Sequence, residues 1–149
     1  MCDVTPLKTD CGALCGHACC LGSEDDGMIL LPGEAASYQD CSWCRIRKTP
    51  NGDLFVCDGT CPRNMRPFAC MLFPLRIEVW ENKARIIVDP LARSVCPLAD
   101  TGLSAFDREF VRCAKAAAAV LLKEPGMRLF FEEQTRLVRE GLADPLFQI

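Results

Sequence analysis

The sequence predicts a small α+β fold, in which irregular cysteine-rich loops and two short β-hairpins surround a metal centre and two helices follow. Three observations support this class. Eleven of the twelve cysteines fall within the first hundred residues. Two turn sequences each separate a pair of short segments of strand character. Beyond about residue 100, apolar residues recur at the spacing of amphipathic helices. We therefore expect a cysteine-rich metal-binding region, residues 1–100, and a helical region, residues 101–149, packed on it as one compact domain.

The densest group of cysteines lies between Cys11 and Cys20, and the same ten residues hold His17, the chain's only histidine. Thiolates are soft anionic ligands for zinc, copper(I) or iron–sulfur clusters, and four of them this close repel one another unless a cation neutralises them or they oxidise. The adjacent side chains of Cys19 and Cys20 point in different directions, so one tetrahedral ion would have difficulty binding both. The segment therefore favours a polynuclear centre or two neighbouring sites.

The remaining ligands are expected to come from later cysteines, and some thiols are expected to stay outside the site. The candidates are Cys41, Cys44, Cys57, Cys61, Cys70 and Cys96. Cys41 and Cys44 have a C-x-x-C spacing that suits zinc or redox chemistry equally. Because thiolates are already in excess, His17 is expected to donate a hydrogen bond or to lie exposed in the loop. Cys113 is expected to be an inert core residue, and Cys2 is left out of the site.

Two turns predict the hairpins. The Asn-Gly pair of Thr49-Pro50-Asn51-Gly52 is typical of a tight hairpin, which would bring Cys44 and Cys57 near each other. Residues 76–80 and 84–88 flank a second turn, and this hairpin is expected to cover one side of the site. Between the hairpins, residues 58–75 are rich in Gly, Pro and Arg, which predicts an irregular metal-binding loop.

The C-terminal region predicts two helices. Ser104, followed three residues later by Asp107, resembles the start of a helix. Glu124-Pro125-Gly126 breaks that helix, and a second one is expected from about residue 127 to residue 140, ending at Gly141. The apolar stripe predicted for the first helix is Phe106, Phe110, Val111, Ala114, Ala117, Val120 and Leu121.

The cysteines also follow a recognisable order. A group ending in Cys19-Cys20 is followed by two spaced cysteines, by the segment Arg66-Pro-Phe-Ala-Cys-Met-Leu-Phe-Pro74, and by a late cysteine. This order resembles the CxxCxxCC family, also called the YkgJ-type cysteine cluster family, which is described as zinc- or iron-chelating. The similarity runs from Cys11 to about Leu98. It implies eight metal ligands: Cys11, Cys15, Cys19, Cys20, Cys44, Cys57, Cys70 and Cys96.

The chain departs from the family pattern in three respects. The first two gaps between cysteines are three residues long, Met71 stands where an arginine is usual, and Cys41 and Cys61 are additional. Flagellin lysine methylases carry a similar cysteine domain, so the resemblance is compatible with a redox or methyl-transfer role. This chain lacks most of the length of those proteins.

The composition limits the class of function. With 17 basic and 20 acidic residues and a pI near 5.2, the chain is not expected to bind nucleic acid or a membrane surface. It has no signal-like N-terminus and no apolar run long enough to span a bilayer, so we expect a cytoplasmic protein with reduced thiols.

Two functions stay open from the sequence. The first is a protein whose thiolates hold an iron–sulfur or other polynuclear centre, with redox or group-transfer chemistry. The second is a structural zinc module that binds a partner protein without catalysis. A single histidine assembles no Ser-His-Asp triad and there is no Gly-rich phosphate loop, so any enzymatic chemistry would have to come from the metal. The choice between zinc and iron, the number of ions, whether Cys41, Cys61 or His17 is a ligand, and the oligomeric state are left open.

Overall fold

The computed structural model describes residues 4–21, 26–59 and 61–143, which leaves Cys2 outside the described ranges. The mixture of helices and antiparallel strands confirms the predicted α+β class. Short 3-10 helices occupy much of the chain between the longer elements. In chain order these elements are β1 (Met28–Ile29), β2 (Cys44–Thr49), β3 (Gly52–Cys57), α1 (Phe68–Leu72), β4 (Leu75–Trp80), β5 (Lys83–Val88), α2 (Arg108–Leu121) and α3 (Pro125–Ala143).

The first sheet has the strand order β1-β3-β2 and is antiparallel. The predicted hairpin between β2 and β3 is confirmed. Its turn consists of Pro50 and Asn51, because Thr49 already pairs with Gly52, which is the first residue of β3. The register places Cys44 directly opposite Cys57, so the hairpin brings these two cysteines together as predicted.

The second sheet is the hairpin of β4 and β5, which the sequence also predicted. Glu81 and Asn82 have φ values of 49° and 63°, as a tight two-residue hairpin turn requires, so Lys83 belongs to β5. We expected this hairpin to cover the cysteine site, but it packs against α2 and α3. Its apolar side chains and those of the helices form the largest buried cluster: Leu72, Leu75, Ile77, Val79, Ile86, Phe106, Phe110, Ala114, Ala118 and Phe131.

Both C-terminal helices are present, with boundaries that differ from the prediction. Asp107, and not Ser104, caps α2, because its carboxylate accepts hydrogen bonds from the backbone N–H groups of Glu109 and Phe110. The α3 helix begins at Pro125, where the missing N–H of proline carries no penalty in a first turn. The helix then runs through Gly141, where we expected it to stop, and ends two residues later.

The buried face of α2 consists of Phe110, Ala114 and Ala118, which recur every four residues. Val120 is 65% exposed, so its place in the predicted stripe was wrong. Cys113 is half-buried and its thiol donates to the carboxylate of Glu109 at 3.7 Å, so it is not the core residue that we expected.

Two smaller buried clusters lie outside the helical core. Leu30, Tyr38, Cys44 and Phe55 pack beside the first sheet, and Ala92, Cys96 and Ala99 pack in the segment between β5 and α2. Each of these clusters contains one of the predicted ligands. Among the described residues, no helix combines the length and the apolar character needed to cross a bilayer.

Candidate metal centre

A cavity of about 60 Å³ lies where four segments of the chain meet. These segments are residues 5–6, the cysteine-rich loop at residues 10–20, residues 63–74 and residues 95–98. A cavity of this size accommodates a few water molecules or ions, whereas pockets for small organic ligands are usually about 300 Å³ or larger. Six of the eight predicted ligands line it: Cys11, Cys15, Cys19, Cys20, Cys70 and Cys96.

The cysteine-rich loop is built from two 3-10 helices, Cys11–Leu14 and Ala18–Cys20. Asp10 caps the first by accepting a hydrogen bond from the N–H of Gly12 at 3.0 Å. Between the two helices, His17 adopts a left-handed conformation with φ 60°, and its N–H donates to the carbonyl of Gly12 at 3.0 Å. The exposed His17 ring lies directly over Gly12, so the loop is folded back on itself.

Cys70 lies on the short helix α1, within a segment for which we predicted an irregular loop. The helix forms because Glu34 supplies a cap from a distant segment. The Glu34 carboxylate accepts hydrogen bonds from the N–H of Phe68 at 2.7 Å and from the N–H of Leu31 at 2.9 Å. One side chain thus satisfies a free N–H at the start of the helix and ties the helix to the segment that follows β1.

Cys96 lines the same cavity, although it lies far along the sequence from the cysteine-rich loop. It follows the 3-10 helix Pro90–Ser94, which Asp89 caps by accepting from the N–H of Leu91 at 2.9 Å. Cys96 is buried, and burial raises the pKa of its thiol, although hydrogen bonds from the backbone of residues 98 and 99 act in the opposite direction. Cys96 therefore lies beside the same cavity as the thiols of the cysteine-rich loop.

The cysteines interact in two groups, and the first group lies at the loop and the late segment. The charges of Cys96 and Cys15 raise the pKa of Cys11, and those of Cys15 and Cys11 raise the pKa of Cys19. Burial is the main cause that raises the pKa of Cys11. The members of this first group are Cys11, Cys15, Cys19 and Cys96.

The second group lies between the loop, the end of β3 and α1. Cys70 is close to Cys61, Cys20 and Cys57. Burial raises the pKa of Cys70 to about 12, and the three neighbouring thiols add to that shift. Cys57 and Cys61 share a hydrogen bond, and burial raises the pKa of Cys57 as well. The members of this second group are Cys20, Cys57, Cys61 and Cys70.

The thiols of the adjacent residues Cys19 and Cys20 lie within hydrogen-bonding reach of each other, although we expected their side chains to point in different directions. The Cys19 thiol donates a hydrogen bond to Cys20, which lowers the pKa of Cys20 to about 6 and raises that of Cys19. The positive charge of Arg66 further favours the Cys20 thiolate. This pair is therefore the place where the two groups adjoin.

Arg66 is the cation that interacts with the second group. Burial alone would lower its pKa, but a hydrogen bond with Cys61 and the charges of Cys61, Cys20 and Cys19 outweigh it, so the pKa is raised. The Nε atom of Arg66 is buried and has no hydrogen-bond partner within the described part of the chain. The guanidinium group thus lies against the thiols and partly balances the negative charge that they would carry as thiolates.

Two of the predicted ligands, Cys44 and Cys57, lie opposite each other in the hairpin and do not line the cavity. Cys61, which the family pattern left as an additional thiol, belongs to the second group. The sequence contained one signal for this, because Cys57 and Cys61 are separated by three residues, the same gap that separates Cys11 from Cys15.

The donor set fits a thiophilic metal, while the side chains are not arranged as ligands. Eleven cysteines lie in the described ranges, and all are free thiols. In residues 4–21, 26–59 and 61–143, no three Cys, His, Asp or Glu side chains are placed so that they could hold a metal ion. Sulfur-only donor sets are those of structural zinc sites and of iron–sulfur clusters. Coordination would therefore require the cysteine side chains to rotate into the cavity.

Comparisons with protein-family models, with curated proteins and with solved structures found no match to this chain.

Proposed function

We propose that this protein binds metal through the cysteine thiolates that converge on the cavity, as either an iron–sulfur or other polynuclear centre or a pair of zinc sites. The observation that carries the proposal is the meeting of six cysteines from three separate chain segments around one cavity of about 60 Å³. Cysteines packed only as small apolar residues would have no reason to share one cavity with two arginines, Arg63 and Arg66.

The electrostatics of the site also support a cation. Burial and neighbouring thiols raise the pKa of Cys11 and Cys70, so these two thiols resist ionisation in the metal-free protein. A bound metal ion would reverse this, because thiolates bind it directly and lose their protons in doing so. The eight ligands that we propose are Cys11, Cys15, Cys19, Cys20, Cys70 and Cys96, which line the cavity, and Cys57 and Cys61, which lie outside its lining and beside Cys70.

The two versions of the proposal differ in what the metal supplies. An iron–sulfur or other polynuclear centre would provide electron transfer or activation of a substrate, including the redox or methyl-transfer roles that the family resemblance permits. Two zinc ions would instead stabilise the fold, and the protein would act by binding a partner. Either version places the protein in a reducing compartment, for which we propose the cytoplasm.

Anaerobic purification followed by metal analysis, labile-sulfide assay and a visible spectrum tests the proposal. Two zinc ions in a colourless protein would support the zinc version, and iron with labile sulfide and visible absorption would support the cluster version. Replacing Cys20 or Cys70 with serine should lower the metal content, while Cys113→Ser, which alters a half-buried thiol on α2, should not. A protein that retains full metal content in Cys70→Ser and loses it in Cys113→Ser would contradict the assignment.

A further inference from the structure

Cys41 and Cys44 form a thiol pair that is separate from the cavity. In an extended strand, residues three positions apart would lie about 10 Å from each other and on opposite faces. Here the chain bends before β2, where the N–H of Cys41 donates to the carbonyl of Tyr38 at 3.2 Å. The bend allows the Cys44 thiol to donate a hydrogen bond to Cys41. The pair is therefore held together by the local fold without a need for metal.

The two thiols have different access to solvent. Cys44 is 7% exposed and packs in the cluster with Leu30, Tyr38 and Phe55. Cys41 is half-buried and packs against the edge of that cluster. Neither thiol lines the cavity. A small thiol reagent can thus reach Cys41 first, and Cys44 is positioned behind it.

We propose that Cys41 and Cys44 are a reversible dithiol–disulfide pair, which exchanges with low-molecular-weight disulfides and is distinct from the proposed metal ligands. The Cys41 thiolate attacks one sulfur of the reagent, which releases one thiol and leaves a mixed disulfide on Cys41. The Cys44 sulfur then attacks the Cys41 sulfur and displaces the second thiol. Two electrons pass from the two cysteines to the reagent disulfide, and the two protons of the cysteines end on the two released thiols.

Trp43 provides an optical signal for this reaction. It lies between the two cysteines in sequence and makes edge-on contacts with Tyr38 and Phe55, with ring centroids 6.4 and 5.9 Å apart. A disulfide formed next to the indole quenches its fluorescence. The other tryptophan, Trp80, lies on β4 with Arg139 stacked over its ring at 4.2 Å. The Trp80→Phe variant leaves Trp43 as the sole tryptophan reporter.

The experiment exposes the full chain, purified anaerobically with any bound metal retained, to glutathione buffers with an increasing share of oxidised glutathione. Thiols are then alkylated and the disulfides are mapped by mass spectrometry. We expect the Cys41–Cys44 disulfide to form first, with a loss of two free thiols, a fall in Trp43 fluorescence and no change in metal content. Dithiothreitol should reduce the disulfide, restore the two free thiols and restore the Trp43 fluorescence.

Three variants make the outcome specific. Cys41→Ser should abolish the disulfide and the fluorescence change, and Cys113→Ser should alter neither. Cys44→Ala, which keeps an apolar side chain in the buried position, should instead accumulate the mixed disulfide between glutathione and Cys41. The proposal is overturned if the first disulfide maps elsewhere, if Cys44→Ala accumulates no mixed disulfide, or if Cys41→Ser loses metal. The disulfides can be mapped whether or not the protein contains metal. A failure of the disulfide proposal can therefore be distinguished from a failure of the metal proposal.

Discussion

Replacing Gly12 with alanine would place a methyl group in the space that the His17 ring occupies. A Cβ atom on Gly12 would lie 2.2 Å from Nδ1 and 2.3 Å from Cε1 of His17. Ordinary contacts between such atoms are about 3.5–4.0 Å, so the ring must move by more than about 1 Å. Overpacking of this kind costs roughly 1–3 kcal/mol, and the reduced freedom of the unfolded chain returns about 0.4–1 kcal/mol. Because the His17 ring is exposed and can turn aside, we expect a value near the lower end, a net loss of about 1 kcal/mol in the free energy of unfolding.

Urea denaturation followed by circular dichroism measures this loss. The double variant Gly12→Ala/His17→Ala should regain most of it, because removal of the ring removes the clash. Gly141→Ala is the matched control, since a Cβ atom there meets no atom within 4 Å and alanine favours helix. A Gly12→Ala protein as stable as the parent, or a double variant that regains nothing, would refute this account of how the cysteine-rich loop is held.

The remaining predictions concern the Glu34 cap, a buried hydroxyl and the proton linkage of the site. Glu34→Gln should cost about 1–3 kcal/mol in urea denaturation, because an amide can accept only one of the two N–H bonds that the carboxylate accepts; an unchanged unfolding midpoint would contradict it. Thr135→Val should cost a similar amount in thermal unfolding, since the hydroxyl accepts from the buried N–H of Val79 at 3.0 Å, and a neutral result would be unexpected. Because burial raises the pKa of Cys70 to about 12, metal must displace its proton, so the metal affinity measured by competition with a chelator should rise between about pH 6 and 8; a flat profile would speak against thiolate ligands. In the metal-free protein, the stability of the fold should depend on pH in the opposite sense. The raised pKa of Cys70 stabilises the fold below pH 9.0, and this stabilisation is lost as the pH rises toward about 12.

The parts of the fold that depend on local chemistry were predictable from the sequence. The Pro50-Asn51-Gly52 segment sets a tight hairpin whatever surrounds it, and the hairpin fixes Cys44 opposite Cys57. The period of apolar residues likewise predicts α2 and α3. Their boundaries were less predictable, because Ser104 and Asp107 are both good capping residues. The N–H of Asp107 donates to the carbonyl of Pro6 at 2.8 Å, and this distant contact holds the chain just before the helix.

Features that depend on contacts between distant segments could not be read from the sequence. Glu34 and the α1 helix that it caps are 34 residues apart, and no local pattern links them. Glu78 is buried in β4 although its charge predicts exposure, because Arg85 and Arg139 both pair with it. At the site, the cysteine pattern indicated that distant segments meet, and cysteines from three segments line the cavity. Only the folded chain shows that Cys61 interacts with Cys57 and Cys70, and that Cys44 lies outside the cavity lining.

X-ray absorption spectroscopy at the edge of the bound metal tests the central proposal most directly. The account predicts a first coordination shell made of sulfur alone, at about 2.3 Å for zinc, that becomes depleted in sulfur when Cys70 is replaced by serine and stays intact when Cys113 is replaced. A first shell dominated by nitrogen or oxygen, or a spectrum that the Cys70 substitution leaves unchanged, would contradict it.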